Sequence, residues 1–517
     1  MKNKHDSFIK RYVYRLGFSL FSIPLGMIIN VIIPRGLGPS DYGSFTFATG
    51  IAQKLFSFFD QNLSLALLKK YSAEQKNYGL VKFYALLILI ISVLIFGLHL
   101  LTYGTSYYNE VWINQEIKII NFALIFGFML WLEHTFVVIL DALSLTKLAE
   151  ISKFISKVVS FIFLCGFFFI GDLSIYQVFT YHFIFFFFFI LCSIYYIQKN
   201  HPRYFSKVFS SSLAVNKNAL YFFNYTHPLF FKSIFQIGLG VFEIWILQYY
   251  GGSLEQGYFG FAFKLSALSF LIVASMTDLI TREFSVFIEK NDRKSLIKYY
   301  SIIIPLLFSL MSFISIFLFT FSKEITLLIA GDDYMLASSS VAIMLLYPIH
   351  QTFGRLNDAI FFASGKTALY RNISISISIF GFLLTILLVT PFFNIGYNLG
   401  AYGLSIKMIL ATLIGTNINL FVISKYLMLS YLQNFFLQIR ILFCFGIISQ
   451  SVKYLLFKLI VGNTLIVCLL TFLVYTAIIG VVLFFFPAFT FLNKKDQQNA
   501  YKILKSFNFR TLNKRYK

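Results

Sequence analysis

The chain has 517 residues, 58% hydrophobic and only 12% charged, with 43 Lys and Arg against 21 Asp and Glu and a formal net charge of +22. Soluble domains carry about 25% charged residues, so a water-soluble globule is excluded. A membrane barrel is excluded too, because runs such as 83–101 and 183–194 are continuously apolar and do not alternate.

An all-α integral membrane protein of about fourteen transmembrane helices is therefore predicted, each span being near the 20 residues that cross the hydrocarbon. A basic start (Lys2, Lys4, Lys10, Arg11) leads straight into the first span, at 11–34, with no small-residue cleavage site, so this span is expected to be retained. Further spans are expected at 43–67, 79–103, 116–141, 151–171, 174–198, 219–249, 257–282, 297–322, 335–363, 369–393, 399–426, 434–458 and 463–488. Cys165, Cys192, Cys444 and Cys468 lie singly inside apolar runs, so no metal site is expected.

Charge tests this register. With the N-terminus inside, the inner segments hold about 27 Lys and Arg, and the outer segments only Arg35, Lys118, Lys323 and Lys458. Every inner segment has a basic residue, and a missed span would scramble the alternation. Both termini are thus expected inside. The same rule accounts for the net charge without nucleic acid, and places the basic tail at 491–517 near anionic lipid headgroups.

The chain also repeats itself. Shifted by 214 residues, 19–48 meets 233–262 without a gap, and about 11 of 30 positions are identical where composition alone gives roughly 3. Gly26, Gly38 and Gly43 face Gly240, Gly252 and Gly257, and Asp41 faces Glu255. Deeper in, Thr135-Phe136 and Asp141-Ala142 match Thr352-Phe353 and Asp358-Ala359 at a shift of 217. Spans 1–6 therefore resemble spans 7–12. Six is even, so the halves share one orientation, and a central cavity that opens to either side is expected. Pro24, Pro228, Pro305 and Pro348 inside spans permit bending. The expected organisation is two six-helix halves (1–215 and 216–430), two extra helices (431–490) and a tail (491–517).

Several local motifs carry a resemblance. Leu37-Gly38-Pro39-Ser40-Asp41-Tyr42-Gly43, with Asn30 to Arg35 before it, resembles the signature of Wzx-type polysaccharide flippases, within the multidrug/oligosaccharidyl-lipid/polysaccharide (MOP) exporter superfamily. Gly257-Tyr258-Phe259 with Phe261 to Leu265, Gly331 to Tyr334, and Gly400 to Gly403 are similar to later motifs of that family, in the same order. Asp60-Gln61-Asn62-Leu63 departs from its usual Asp-x-Gly-Leu. The resemblance covers about residues 10–430. It implies a non-enzymatic transporter of the bacterial inner membrane that moves an undecaprenyl-diphosphate-linked glycan, an O-antigen or capsule repeat, to the outer leaflet. A polysaccharide polymerase and a chain-length regulator are the implied partners. A lipid II flippase and a cation-coupled drug antiporter are the alternatives.

The chemistry required is shelter for an anionic head. A bare ion costs tens of kcal/mol in hydrocarbon, so cations in a wet cavity are needed, and ionisable residues inside spans are the candidates. The basic ones are Lys54, Lys232, Lys264, Arg355 and Lys407, expected to bind the headgroup. The acidic ones are Asp60, Glu133, Glu243, Asp278 and Asp358, expected to take a coupling ion, H⁺ or Na⁺. Asp141 sits at a helix end, and His134, His182 and His350 are further titratable groups. No phosphate-binding glycine loop is present, so no ATP motor and no other cofactor is expected. A dianion leaving a negative interior gains about 2.3 kcal/mol per charge per 100 mV.

Overall fold

A computed structural model describes residues 8–391, 396–459 and 464–485; the basic tail lies outside the described residues. Every regular element among the described residues is helical. Nine of these helices are long and apolar enough to cross a membrane. Two others are far longer than one crossing needs, and each carries a single break.

The chain divides into two compact units, Met1–Gly260 and Phe261–Lys517. The first contains α1 (Phe8–Ala73), α2 (Tyr78–Thr102), α3 (Ser106–Val111), α4 (Ile117–Ala142), α5 (Thr146–Ile170), α6 (Ile175–Asn200) and α7 (Tyr204–Ser210). It also takes in the first part of α8 (Val215–Glu289). These packing units are not the sequence repeats, which part near residue 215.

Helix α1 is interrupted at Gly38 (φ 70°, ψ 170°), and α8 at Gly252 (φ 66°, ψ −172°). Positive φ of this kind is open to glycine at little cost. The two breaks are the same conformation at positions 214 apart, so the sequence repeat is also a repeat of backbone geometry. Each break divides its helix into two segments, 8–37 and 39–73, then 215–251 and 253–289, and every segment is long enough to span. The sequence reading expected loops at 35–42 and 250–256. A one-residue corner replaces each, because a single glycine suffices to turn the chain and neighbouring residues stay helical.

Local signals set other ends. Ser174 and Gln177 form a reciprocal capping box at the start of α6, with the Ser174 amide donating to Gln177 Oε1 at 2.8 Å. Asn77 caps α2. The α1–α4 crossing is close because Gly127 has no side chain: a β-carbon there would lie 2.6 Å from the Phe56 ring and 3.1 Å from the Ala52 carbonyl oxygen. Leu89, Val93 and Leu98 on α2 are all more than half exposed, as suits a lipid-facing helix.

The second unit holds α9 (Arg293–Thr320), α10 (Ser322–Ala330), a 3₁₀ turn (Asp332–Ala337), α11 (Ser338–Met344), α12 (Tyr347–Ala363), α13 (Thr367–Val389), α14 (Gly400–Leu427), α15 (Tyr431–Leu459) and α16 (Thr464–Phe485). Asp292 caps α9 by accepting from the Ser295 amide at 3.0 Å. A bond from the Ser295 hydroxyl, together with that one from its amide, holds the Asp292 carboxyl below the ordinary range. The expected tenth span, 335–363, is split between the 3₁₀ turn, α11 and α12. Pro348 starts α12, where its missing N–H costs nothing.

The two helices beyond the repeat pack on α9. Tyr475 stacks on Phe313 at 5.0 Å and donates to its carbonyl oxygen at 3.1 Å. Ser449 Oγ donates to Thr320 Oγ1 at 2.9 Å. Lys453 of α15 reaches Glu324 at 2.7 Å and the Thr320 carbonyl at 2.8 Å. The aromatic stack adds about 0.5–1.5 kcal/mol beyond its burial, and the ion pair fixes the height of α15 against α9 and α10.

Candidate functional site

The first unit contains a polar cluster in the middle of apolar helices. Asp60 and Ser64 lie one turn apart on α1, and Ser64 Oγ donates to Asp60 Oδ1. Tyr84 of α2 donates to the same carboxylate oxygen at 3.3 Å and sits 2.9 Å from Ser64 Oγ. Trp131 of α4 donates from Nε1 to the Tyr84 hydroxyl at 3.1 Å. His134, three residues on and so on nearly the same helix face, places Nδ1 2.6 Å from Asp60 Oδ2. The carboxylate has therefore both oxygens engaged. It is buried, while the His134 side chain is 47% exposed, so the pair has one sheltered and one open end. Beside it, Glu133 pairs with Lys153 of α5 at 3.4 Å.

A carboxylate within a span is expensive unless it is paired and hydrogen-bonded. This one is both, and its partner is the one side chain whose ordinary pKa lies near neutrality. The pair is thus a buried carboxylate hydrogen-bonded to an imidazole that stays partly open.

The cations follow a second pattern: each of three lysines lies on a helical glycine of a neighbouring helix. A β-carbon at Gly240 would be 3.0 Å from Lys54 Nζ. One at Gly26 would be 3.1 Å from Lys157 Nζ, which also donates to the Ser22 carbonyl at 2.9 Å. One at Gly381 would be 3.1 Å from Lys407 Cε. Bare backbone lets each lysine side chain come close to the neighbouring helix, and for Lys157 the Ser22 carbonyl there accepts from the ammonium. Gly26 and Gly240 are repeat equivalents, so both copies of this position cradle a lysine.

The remaining predicted residues are placed as follows. Lys264 is exposed on α8 and Glu243 half-buried on it. Arg355 is exposed on α12, and Lys407 is buried on α14. Asp358 accepts from Tyr370 at 3.2 Å and from Asn419 at 3.2 Å. The side chains of Lys232 and Asp278 lie outside the described residues. His182 is packed among rings, 5.7 Å from Phe45 and 5.1 Å from Phe126, and His350 is buried. Of the expected set, the structure brings together Asp60, His134 and Glu133. Sequence reasoning missed Lys153 and Lys157. Their signal was present: they stand four apart on α5, each one residue beyond Ser152 and Ser156 of a fully buried serine row that ends at Ser160.

The fold is shared with known transporters. No protein-family model matches the chain, and no curated protein matches it in sequence. Among solved structures, the lipid II flippase MurJ in an inward closed conformation superposes with a TM-score of 0.64 at 16% identity, covering 91% of this chain and 99% of that one. A multidrug resistance MATE family transporter of the MOP superfamily, facing inward, gives 0.59 at 15% identity, covering 80% and 98%. The chain is a multi-pass membrane protein with the fold of MOP-superfamily transporters.

Proposed function

We propose that the chain is a flippase that carries an undecaprenyl-diphosphate-linked oligosaccharide from the cytoplasmic to the outer leaflet of the bacterial inner membrane, with both termini inside. The observation that carries this reading is the length of the match. The flippase covers 91% of the chain and the drug transporter 80%. The difference is about 57 residues of 517, close to the length of α15 and α16 together. The Leu37 to Gly43 signature, absent from the argument on length, points the same way. It favours a polymer repeat over lipid II as the glycan.

In this mechanism the lipid tail stays in the bilayer, and Lys54 and Lys157 of the first unit, with Lys232, meet the diphosphate as point charges. Lys264, Arg355 and Lys407 are the corresponding headgroup candidates of the second unit, taken by itself. The Asp60–His134 pair takes a proton inward as the anion moves outward, so the pH gradient adds to the membrane potential. Glu133, Glu243, Asp278 and Asp358 tune or share that load. Polymerase and chain-length regulator act on the product at the outer face.

Cells lacking the chain should accumulate lipid-linked repeat units at the inner leaflet and lose surface glycan, with both restored by the wild-type chain. Unchanged surface glycan in the deletion strain would reject the glycan assignment, and accumulation of lipid II instead would favour the nearest alternative.

A further inference from the structure

The stretch that joins the two sequence repeats carries charge of one sign. Between Asp172 and Glu243 there is no acidic residue, and Lys199, Arg203, Lys207 and Lys217 gather in its middle. All four side chains are exposed. Among the described residues none of them pairs with a carboxylate. The Lys199 ammonium lies 5.6 Å from the Tyr195 ring and that of Lys207 5.7 Å from the Tyr78 ring. Arg203 and Lys207 stand four apart, at the start and within the single turn and a half of α7, and so share a face.

This connector is fastened to the ends of α1 and α2, all within the first packing unit. The Tyr71 hydroxyl donates to that of Tyr204 at 3.0 Å, with both residues buried, and the Tyr204 ring meets Tyr78 edge-on. Lys82 Nζ donates to the Phe209 and Ser211 carbonyls at 2.6 and 3.0 Å, at the C-terminal end of α7, where a cation is favoured. Gly79 admits the next residue: a β-carbon there would fall 2.3 Å from the Ser212 carbonyl oxygen. Asn218 then donates to the Leu213 carbonyl at 2.8 Å. Glu74, the carboxylate of the α1–α2 turn, accepts from Asn77 at 2.8 Å. Lys82 thus serves the backbone, while the four other cations are what the connector presents at its surface.

Apolar side chains are presented with them. Phe209 is 74% exposed, and Val215, Leu220 and Phe223 on the first turns of α8 are all more than half exposed. The connector starts where α6, long and apolar enough to cross a membrane, ends at Asn200. Cations and large apolar side chains together at the end of a span are the composition of an element lying in the headgroup layer. An acidic protein or a nucleic acid would satisfy the cations and leave Phe209 and Phe223 in water. A bilayer surface meets both.

We propose that the 199–217 connector binds an anionic phospholipid, its phosphate held by Arg203 and Lys207 with Lys199 and Lys217 flanking, and its acyl chains beside Phe209. Basic clusters at span ends attract acidic headgroups in this way. The inference does not depend on what the protein carries, only on α6 ending at a membrane surface.

The test uses the full chain with Phe209→Trp, in phosphatidylcholine vesicles holding a minor fraction of brominated lipid. Fluorescence of the chain without this substitution is subtracted. Bromine quenches an indole on contact, so it counts the lipids around residue 209. Brominated phosphatidylglycerol is expected to quench about threefold more than brominated phosphatidylcholine at the same fraction. Adding Arg203→Gln and Lys207→Gln brings the two lipids level, while quenching by brominated phosphatidylcholine stays unchanged and shows that residue 209 still lies at the membrane. Equal quenching before those changes, or an excess that survives them, overturns the site. An excess abolished by inorganic phosphate would mark a general anion site, and one abolished by a trace of lipid-linked diphosphate would mark a docking point for that lipid. Either overturns the phospholipid assignment and leaves the transport reading standing.

Discussion

Replacing Asp60 with Asn abolishes the response of transport to an inward proton gradient while leaving the chain inserted and folded. The carboxamide keeps the size of the carboxylate, and its oxygen still accepts from Ser64 and Tyr84. It has no charge to hold an imidazolium at His134, which now stands 2.6 Å from Asp60 Oδ2. One charge-assisted hydrogen bond of about 1.5–3 kcal/mol is lost, at the low end because the imidazole is half open to water. His134→Gln gives the same loss of response from the other side of the pair. Tyr84→Phe removes the hydroxyl that donates to the carboxylate and accepts from buried Trp131, a loss of about 1–3 kcal/mol, and slows transport without uncoupling it. The measurement is leaflet exchange in vesicles with and without a pH step. Glu133 and Lys153 also face this region, so Glu133→Gln serves as the control that changes nearby charge without touching the pair. A wild-type pH response in Asp60→Asn would remove proton coupling from the account.

Replacing Lys54 with Ala weakens headgroup capture about 10- to 100-fold, since a charge-assisted contact to phosphate is worth about 1.5–3 kcal/mol. Lys54→Arg recovers part of it, because the charge is kept but the fork is longer and flatter than the ammonium cradle. Gly240→Ala is the informative companion. Its new methyl group would sit 3.0 Å from the Lys54 ammonium, and the flexible end of the lysine can move aside. The effect is therefore expected to be several times smaller than losing the charge. Dose dependence of transport on lipid-linked substrate separates these cases. Unaltered capture in Lys54→Ala would mean that this ammonium serves its own helices and not the substrate.

The spans were readable because an uncharged run of about 20 residues has few alternatives in a membrane. The repeat was readable because loops and glycines matched as well as apolar text. The corners at Gly38 and Gly252 were not. Leu37 to Gly43 and Gly251 to Gly257 have the composition of loops, and only backbone geometry shows that one residue does all the turning. The short helices α3, α7 and α10 also escape a hydropathy window, since they are shorter than it and partly polar.

For the site, single charges inside spans were visible but their company was not. Which face of α4 meets α1 decides that Asp60 finds His134, and that depends on the close approach at Gly127. Lys153 and Lys157 fell between categories. They lie at the start of the fifth span, too deep for the loop count and too near the edge to stand out, until Gly26 and Glu133 are seen to receive them.

The central claim is that this chain carries an anionic lipid-linked head across a bilayer. It is tested most directly by purified protein in vesicles with undecaprenyl-diphosphate-linked glycan placed in the leaflet its cytoplasmic side faces. A membrane-impermeant lectin or glycosidase then reports how much glycan reaches the opposite leaflet. The account predicts exposure well above that of empty vesicles, faster with an opposing proton gradient, and slowed by Lys54→Ala. Exposure equal to that of empty vesicles, with the protein folded and correctly oriented, would contradict it.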